Sequence, residues 1–155
     1  MENRNLTEFR NEQEINFLYL RNVLSINLSK NSLRNVNDLK YFSKILILDI
    51  SLNLIDDISF VEELPSLNIF MAERNKITSI SPLVKCKNLE KLYISYNDIK
   101  YQMSSLKSLN SLPKLIELTI KENTVLKFVY YIINFFSSFK PLLVINTTFY
   151  ENAKN

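Results

Sequence analysis

The sequence contains no histidine and no glycine, and it has a single cysteine. Without imidazole there is no histidine general base, no His-containing catalytic triad and no ordinary transition-metal site. Without glycine there is no glycine-rich phosphate loop and no dinucleotide-binding fingerprint. Cys86 alone excludes an internal disulfide and any multi-cysteine zinc site. No apolar run reaches the roughly 18 residues that crossing a membrane requires. The opening MENRNLTEFRNEQE has neither the basic nor the apolar region of a signal peptide, so a soluble intracellular protein with no membrane contact is expected.

What the chain does have is enough apolar material for one core: 46% of 155 residues. Its charge is uneven. Residues 1–75 hold 8 Lys/Arg against 11 Asp/Glu, and residues 76–155 hold 11 against 5, for balances of −3 and +6. An electropositive C-terminal half suits RNA or an acidic protein as partner, although an excess of this size is also common on ordinary surfaces.

The stretch LEKLYISYNDI (89–99) places apolar residues at offsets 0, 3, 5 and 10 and an asparagine at offset 8. The same template fits VLSINLSKNSL, ILILDISLNLI, LNIFMAERNKI and LIELTIKENTV, so units start at 23, 45, 67, 89 and 115, spaced 22, 22, 22 and 26 residues. Five copies at that period indicate a stacked solenoid. Offsets 3 and 5 alternate as in a strand, and a local bend after offset 0 turns all three side chains inward over the first six residues of each unit. Ala72 is the small member of that inner column, where a dent or a bulkier neighbour is expected.

Asn31, Asn53, Asn75, Asn97 and Asn123 occupy offset 8, where the chain leaves the strand. A turn buried in a stacked array needs its backbone groups satisfied, and a carboxamide both donates and accepts, unit after unit. Apolar residues then return in steps of three, as in Ile55, Ile58, Val61 and Leu64, which fits a 3₁₀ return path. Cys86 falls in the innermost of these columns and is expected to be core rather than a reactive thiol. The fourth unit carries four extra residues between Ile99 and Leu112. Repeats bury surface only against neighbours, so both ends need covers. Residues 1–22 are expected as an N-terminal helical cap, 23–122 as repeats, 123–150 as a C-terminal cap and 151–155 as a tail. Within the C-terminal cap, FVYYIINFFSSF suits a helix laid over the last strand and LLVIN (142–146) suits a closure of the sheet edge.

A strand, an Asn turn and a short return path in 22 residues resemble the short intracellular class of leucine-rich repeats. The resemblance implies an α/β solenoid: a curved parallel β-sheet on the concave face, 3₁₀ or short helices on the convex face, and helical caps at both ends. The segment NTVLKFVYYIINFFSSFKPLLVIN resembles that class's C-terminal closure. Asn123, Val125, Tyr131, Leu142 and Ile145 keep the closure's spacing, while Thr124, Lys140 and Asn146 depart from its identities. The long fourth unit followed by this closure looks most like the leucine-rich A-prime subunits of the U2 small nuclear ribonucleoprotein. That likeness implies a nuclear splicing scaffold that holds the helix of an RNA-recognition-domain protein on its concave face and meets RNA only indirectly. Axonemal dynein light chains and regulatory subunits of serine/threonine protein phosphatases share the repeat and stand as alternatives, with the cilium or cytoplasm as location.

The concave face displays offsets 2, 4, 6 and 7. There Ile47, Leu52, Ile69, Met71, Tyr93 and Tyr96 form an apolar and aromatic cluster with no structural need to be apolar, as expected of a surface that a protein partner buries. Asp49, Glu73, Arg74 and Lys91 border it and suit orientation and on-rate, with Tyr93 as the expected centre. The alternatives are ordinary scattered surface apolars or a terminal segment folded back over them. Tyr93 and Tyr96 also suit base stacking, but no dense Lys/Arg lining surrounds them. Asp56–Asp57 and Glu62–Glu63 fall on the outer return path, where water reaches them, and read as solvated charge rather than a catalytic pair. A non-enzymatic adaptor without cofactor or metal is expected.

Overall fold

The computed structural model describes residues 22–100, 103–123 and 144–146, with side chains for all of these except 103–106 and 144–146. Six strands form one parallel sheet in chain order: β1 (Ser25–Asn27), β2 (Ile47–Asp49), β3 (Ile69–Met71), β4 (Lys91–Tyr93), β5 (Glu117–Thr119) and β6 (Val144–Asn146). The register places equal offsets opposite one another: Ser25, Ile47, Ile69, Lys91 and Glu117 in one row, Asn27, Asp49, Met71, Tyr93 and Thr119 in another. β6 continues the stack with Ile145 opposite Leu118, so part of LLVIN does pair with the last repeat strand. The expected N-terminal helix, the aromatic C-terminal helix and Tyr131 lie outside the described residues.

Each strand has three residues rather than the six expected, and both of its ends have a physical cause. At the start, two successive N–H groups converge on one carbonyl. Leu46 and Ile47 both donate to Leu24 O (2.8 and 3.1 Å), and Asn68 and Ile69 both donate to Leu46 O (2.9 and 2.9 Å). Like a bulge, this bends the chain, and Ile45, Leu48 and Ile50 all become fully buried. At the end, the offset-7 residues Lys30, Leu52, Arg74, Tyr96 and Glu122 take left-handed φ of 54–58°. That conformation leaves the strand and disfavours a Cβ, and with no glycine in the chain it is carried by ordinary side chains.

The return paths are 3₁₀ helices at Asn37–Tyr41, Ser59–Glu63 and Ser81–Lys85, each beginning at the same offset. In the long unit that offset begins an α-helix, α1 (Met103–Asn110). Five 3₁₀ residues span about 10 Å and eight α residues about 12 Å, so the four extra residues change the kind of helix more than its length. The sheet register on either side is undisturbed.

One continuous core lies between sheet and return paths. Ala72 and Phe70 are both fully buried, so the smallest member of the inner columns shares a strand region with the largest. Phe60, at an offset outside the repeat template, adds to the same core. Cys86 is fully buried, its thiol donates to Val61 O at 3.3 Å, and burial pushes its pKa up to about 12. A thiol so placed is an inert packing group.

Candidate functional site

The offset-8 asparagines link the units. Asn53 Nδ2 donates to Ile50 O (2.9 Å) in its own unit and to Leu28 O (3.0 Å) in the preceding one, while its Oδ1 accepts from Leu33 N (3.0 Å). Asn75, Asn97 and Asn123 repeat the set, with Ile55, Ile77 and Ile99 as the N–H donors. Asn31 Nδ2 donates to Leu28 O and Ser29 O. All five side chains are buried. An aspartate would offer no donor to these carbonyls.

On the outward face of the sheet a hollow of about 670 Å³ is lined by Ile47, Asp49, Leu52, Ile69, Met71, Glu73, Lys91 and Tyr93, together with Asn27, Ser29, Lys30 and Ser51. Its apolar part comes from the second and third units. Ile47 and Leu52 are 37% and 43% exposed, while Ile69, Met71 and Tyr93 are half-buried. The apolar centre therefore lies between β2 and β3, nearer the N-terminus than Tyr93. Arg74 and Tyr96 do not line the hollow. They stand on the left-handed turns at the sheet edge, with the Arg74 guanidinium 4.2 Å and Lys121 Nζ 5.5 Å from the Tyr96 ring centre.

The polar members are tied down. Lys91 Nζ lies 3.1 Å from Glu117 Oε2, and the Tyr93 hydroxyl lies close enough to influence the same carboxylate. The Lys91 ammonium, with the Tyr93 hydroxyl beside it, holds the Glu117 carboxyl below its ordinary pKa, and Glu117 lifts Lys91, while burial and the neighbouring carboxylate raise Tyr93. Glu73 Oε1 accepts from Thr119 Oγ1 at 3.2 Å. Asp49 Oδ1 accepts from Ser51 N at 2.9 Å, so its carboxylate also serves the turn, as Asn27 Oδ1 does for Ser29 N at 2.8 Å. At offset 6, Ser29 lines the hollow although largely buried, whereas Ser95 is fully buried and its hydroxyl has no partner among the described residues.

Glu117 and Thr119 share the concave-face offsets of Lys91 and Tyr93 but are not among the expected site residues; the register sets them beside those two, where they orient the site. Leu24 and Leu46, 52% and 41% exposed, were also missed. Their signal was an apolar residue at offset 1, where the third and fourth units carry Asn68 and Glu90. Asp56, Asp57, Glu62 and Glu63 are exposed, and Asp57 accepts from Ser59 N at 2.8 Å as a turn group. Among the described residues no three Cys, Asp or Glu side chains gather as a metal cage, and no helix is long and apolar enough to cross a membrane.

This architecture is a leucine-rich repeat solenoid, and residues 65–102 match the family model for leucine-rich repeats (two copies). Among solved structures, an internalin of Listeria monocytogenes (inlF) matches with TM-score 0.70 at 20% identity, covering 86% of this chain and 36% of that one. A leucine-rich repeat protein of Leptospira interrogans matches with TM-score 0.64 at 23% identity, covering 83% and 38%. At these identities the likeness concerns the fold. Two curated relatives are 36% identical over short stretches. Human cilia- and flagella-associated protein 410 aligns over 67 residues, 43% of this chain and 26% of that protein. An uncharacterized Caenorhabditis elegans protein aligns over 69 residues, 44% and 15%. The aligned stretch is thus about a quarter or less of either relative's length.

Proposed function

We propose that this chain is a non-enzymatic scaffold that grips a protein partner on the outward face of its sheet. The observation that carries the reading is the contiguous apolar floor of Ile47, Leu52, Ile69 and Met71 in an open hollow. Outward strand positions gain nothing from apolar side chains until something covers them. A protein partner is favoured over RNA because the Tyr96 ring already carries Arg74 at 4.2 Å and the Lys91 charge is met by Glu117 at 3.1 Å. Catalysis is disfavoured by the absence of histidine and by the exposure of the adjacent carboxylate pairs.

For the branch, the name of the human relative favours a cilium-associated scaffold. The second reading, the spliceosomal scaffold for an RNA-recognition-domain protein, is supported by the 26-residue fourth unit with its α-helix. Affinity capture from the source organism separates them. Ciliary or axonemal proteins support the first, and an RNA-recognition-domain protein with U2 RNA supports the second. A serine/threonine phosphatase catalytic subunit would reassign the chain. Whatever the partner, its capture should fail with Ile69→Arg; undiminished capture by that variant contradicts the face assignment.

A further inference from the structure

The offset-1 residues form a column along the rim where the strands begin, and three of them, Leu24, Leu46 and Ile116, are among the most exposed large apolar groups of the described residues. Between β2 and β3 this rim opens into a recess of about 420 Å³. Leu46, Ile47 and Ile69 form its floor, and Asn68, Asn88 and Lys114 its polar wall. Lys114 Nζ donates to Asn88 Oδ1 at 2.7 Å, and Asn88 Nδ2 in turn donates to Pro65 O at 3.0 Å. The ammonium is therefore fixed in place by a neutral group that leaves its charge uncompensated. Along the same rim Lys44 Nζ donates to Asn22 Oδ1 (3.4 Å) and Lys87 Nζ to Ser111 O (3.0 Å). Among the described residues none of the three lysines meets a carboxylate, whereas Lys91 on the open face does. Glu90 is the acidic member of the offset-1 column, and three ammoniums outweigh it.

We propose that this rim is a second docking site, for an acidic segment of the partner protein. One aliphatic or aromatic side chain enters the recess over Leu46, Ile47 and Ile69, and a flanking Asp or Glu carboxylate accepts hydrogen bonds from Lys114 Nζ. An apolar recess beside fixed, unneutralised cations is complementary to that pattern and opposed to a basic one. The volume lies at the lower end of the pocket range and suits one large side chain with its backbone. A flat anionic bilayer offers the charge but no side chain to fill the recess. Ile47 and Ile69 line both this recess and the larger hollow, so one partner can occupy both. The proposal rests on the protein-binding reading only for this shared partner.

The test titrates the chain with labelled synthetic peptides: a leucine flanked by glutamates, the same peptide with lysines, and the same acidic peptide with serine for leucine. Phosphatidylserine vesicles form a fourth arm. The glutamate–leucine peptide is expected to bind best, to weaken at least about tenfold in Lys114→Glu and in Leu46→Asp, and to weaken with salt. Lys114→Glu is expected to gain affinity for the lysine peptide. Both residues are exposed, so the unfolding midpoint of each variant should match the parent. No binding of the acidic peptide, equal binding of acidic and basic peptides, no loss in Lys114→Glu, or binding of vesicles without peptide each overturns the proposal. So does self-association of the chain that blocks the peptide. Met71 lines the hollow but not the recess, so peptide loss in Lys114→Glu with undiminished partner capture by Met71→Arg would sustain the rim and refute the open face. The opposite pair of results would refute the rim alone.

Discussion

The two sides of the same strands obey different rules. Inward, every unit presents branched aliphatic or aromatic side chains, Ala72 excepted, backed by an asparagine with nearly identical bonds from the second unit to the fifth. Outward, the row Ser25, Ile47, Ile69, Lys91, Glu117 changes from polar to apolar to charged within five positions. The difference shows where the fold constrains the sequence and where it leaves room. Inner positions must fill a fixed volume and satisfy fixed backbone groups, whereas outer ones need only tolerate water or a partner.

The largest expected effect breaks the inner side. Leu92→Ala, fully buried on β4, should cost roughly 2–5 kcal/mol by denaturant unfolding, because the cavity cannot collapse between two stacked units. Its outward neighbour Tyr93→Ala should stay within about 0.5 kcal/mol of the parent. Equal losses would mean the two sides are not energetically separate. Next comes the ladder: Asn97→Ala removes the acceptor of Ile77 N and a donor to Ala72 O and Ile94 O. Leaving buried groups unpaired should cost about 1–3 kcal/mol, and Asn97→Asp should also destabilise because it lacks the donor.

A smaller effect of opposite sign is expected at the left-handed turns. Glu122 has φ 54°, so Glu122→Gly should stabilise by up to about 1 kcal/mol while Glu122→Val destabilises. Thermal unfolding of the pair decides whether these turns hold strain. Smallest is the electrostatic tie on the outer face. Glu117 is held below its ordinary pKa by Lys91 and Tyr93, so its contribution is present above the usual glutamate pKa and fades as pH falls through the lowered value. Tyr93→Phe should move the NMR carboxyl titration of Glu117 back toward the ordinary range. An unmoved midpoint would mean the hydroxyl contributes nothing.

The inner side was legible because its constraint repeats: five asparagines in register and the 0, 3, 5 apolar spacing marked the strands and the bend, and the three-residue steps of the return path marked the buried place of Cys86. The outer side was legible only where register alone decides position, as for Ile47, Ile69 and Met71. Offset 6 is mixed: Ser51 and Glu73 line the hollow, Ser29 lines it while largely buried, and Ser95 alone is fully buried, a difference between units that the shared offset does not show. The bend after offset 0 was legible but its consequence for offset 1 was not drawn: it turns Leu24 and Leu46 out to the surface, where two N–H groups share one carbonyl. The strand length was overestimated because offsets 0 and 5 are buried like offset 3, although only offsets 2–4 form the strand.

The central claim, a protein partner held on the outward face of the sheet, is tested most directly by site-specific photo-crosslinking in extracts of the source organism. A photoreactive residue replacing Met71, in the hollow between Ile69 and Tyr93, should give a discrete protein adduct. The same residue replacing exposed Glu63 on the opposite, return-path side should give none. An adduct at position 63 with none at 71 would contradict the account.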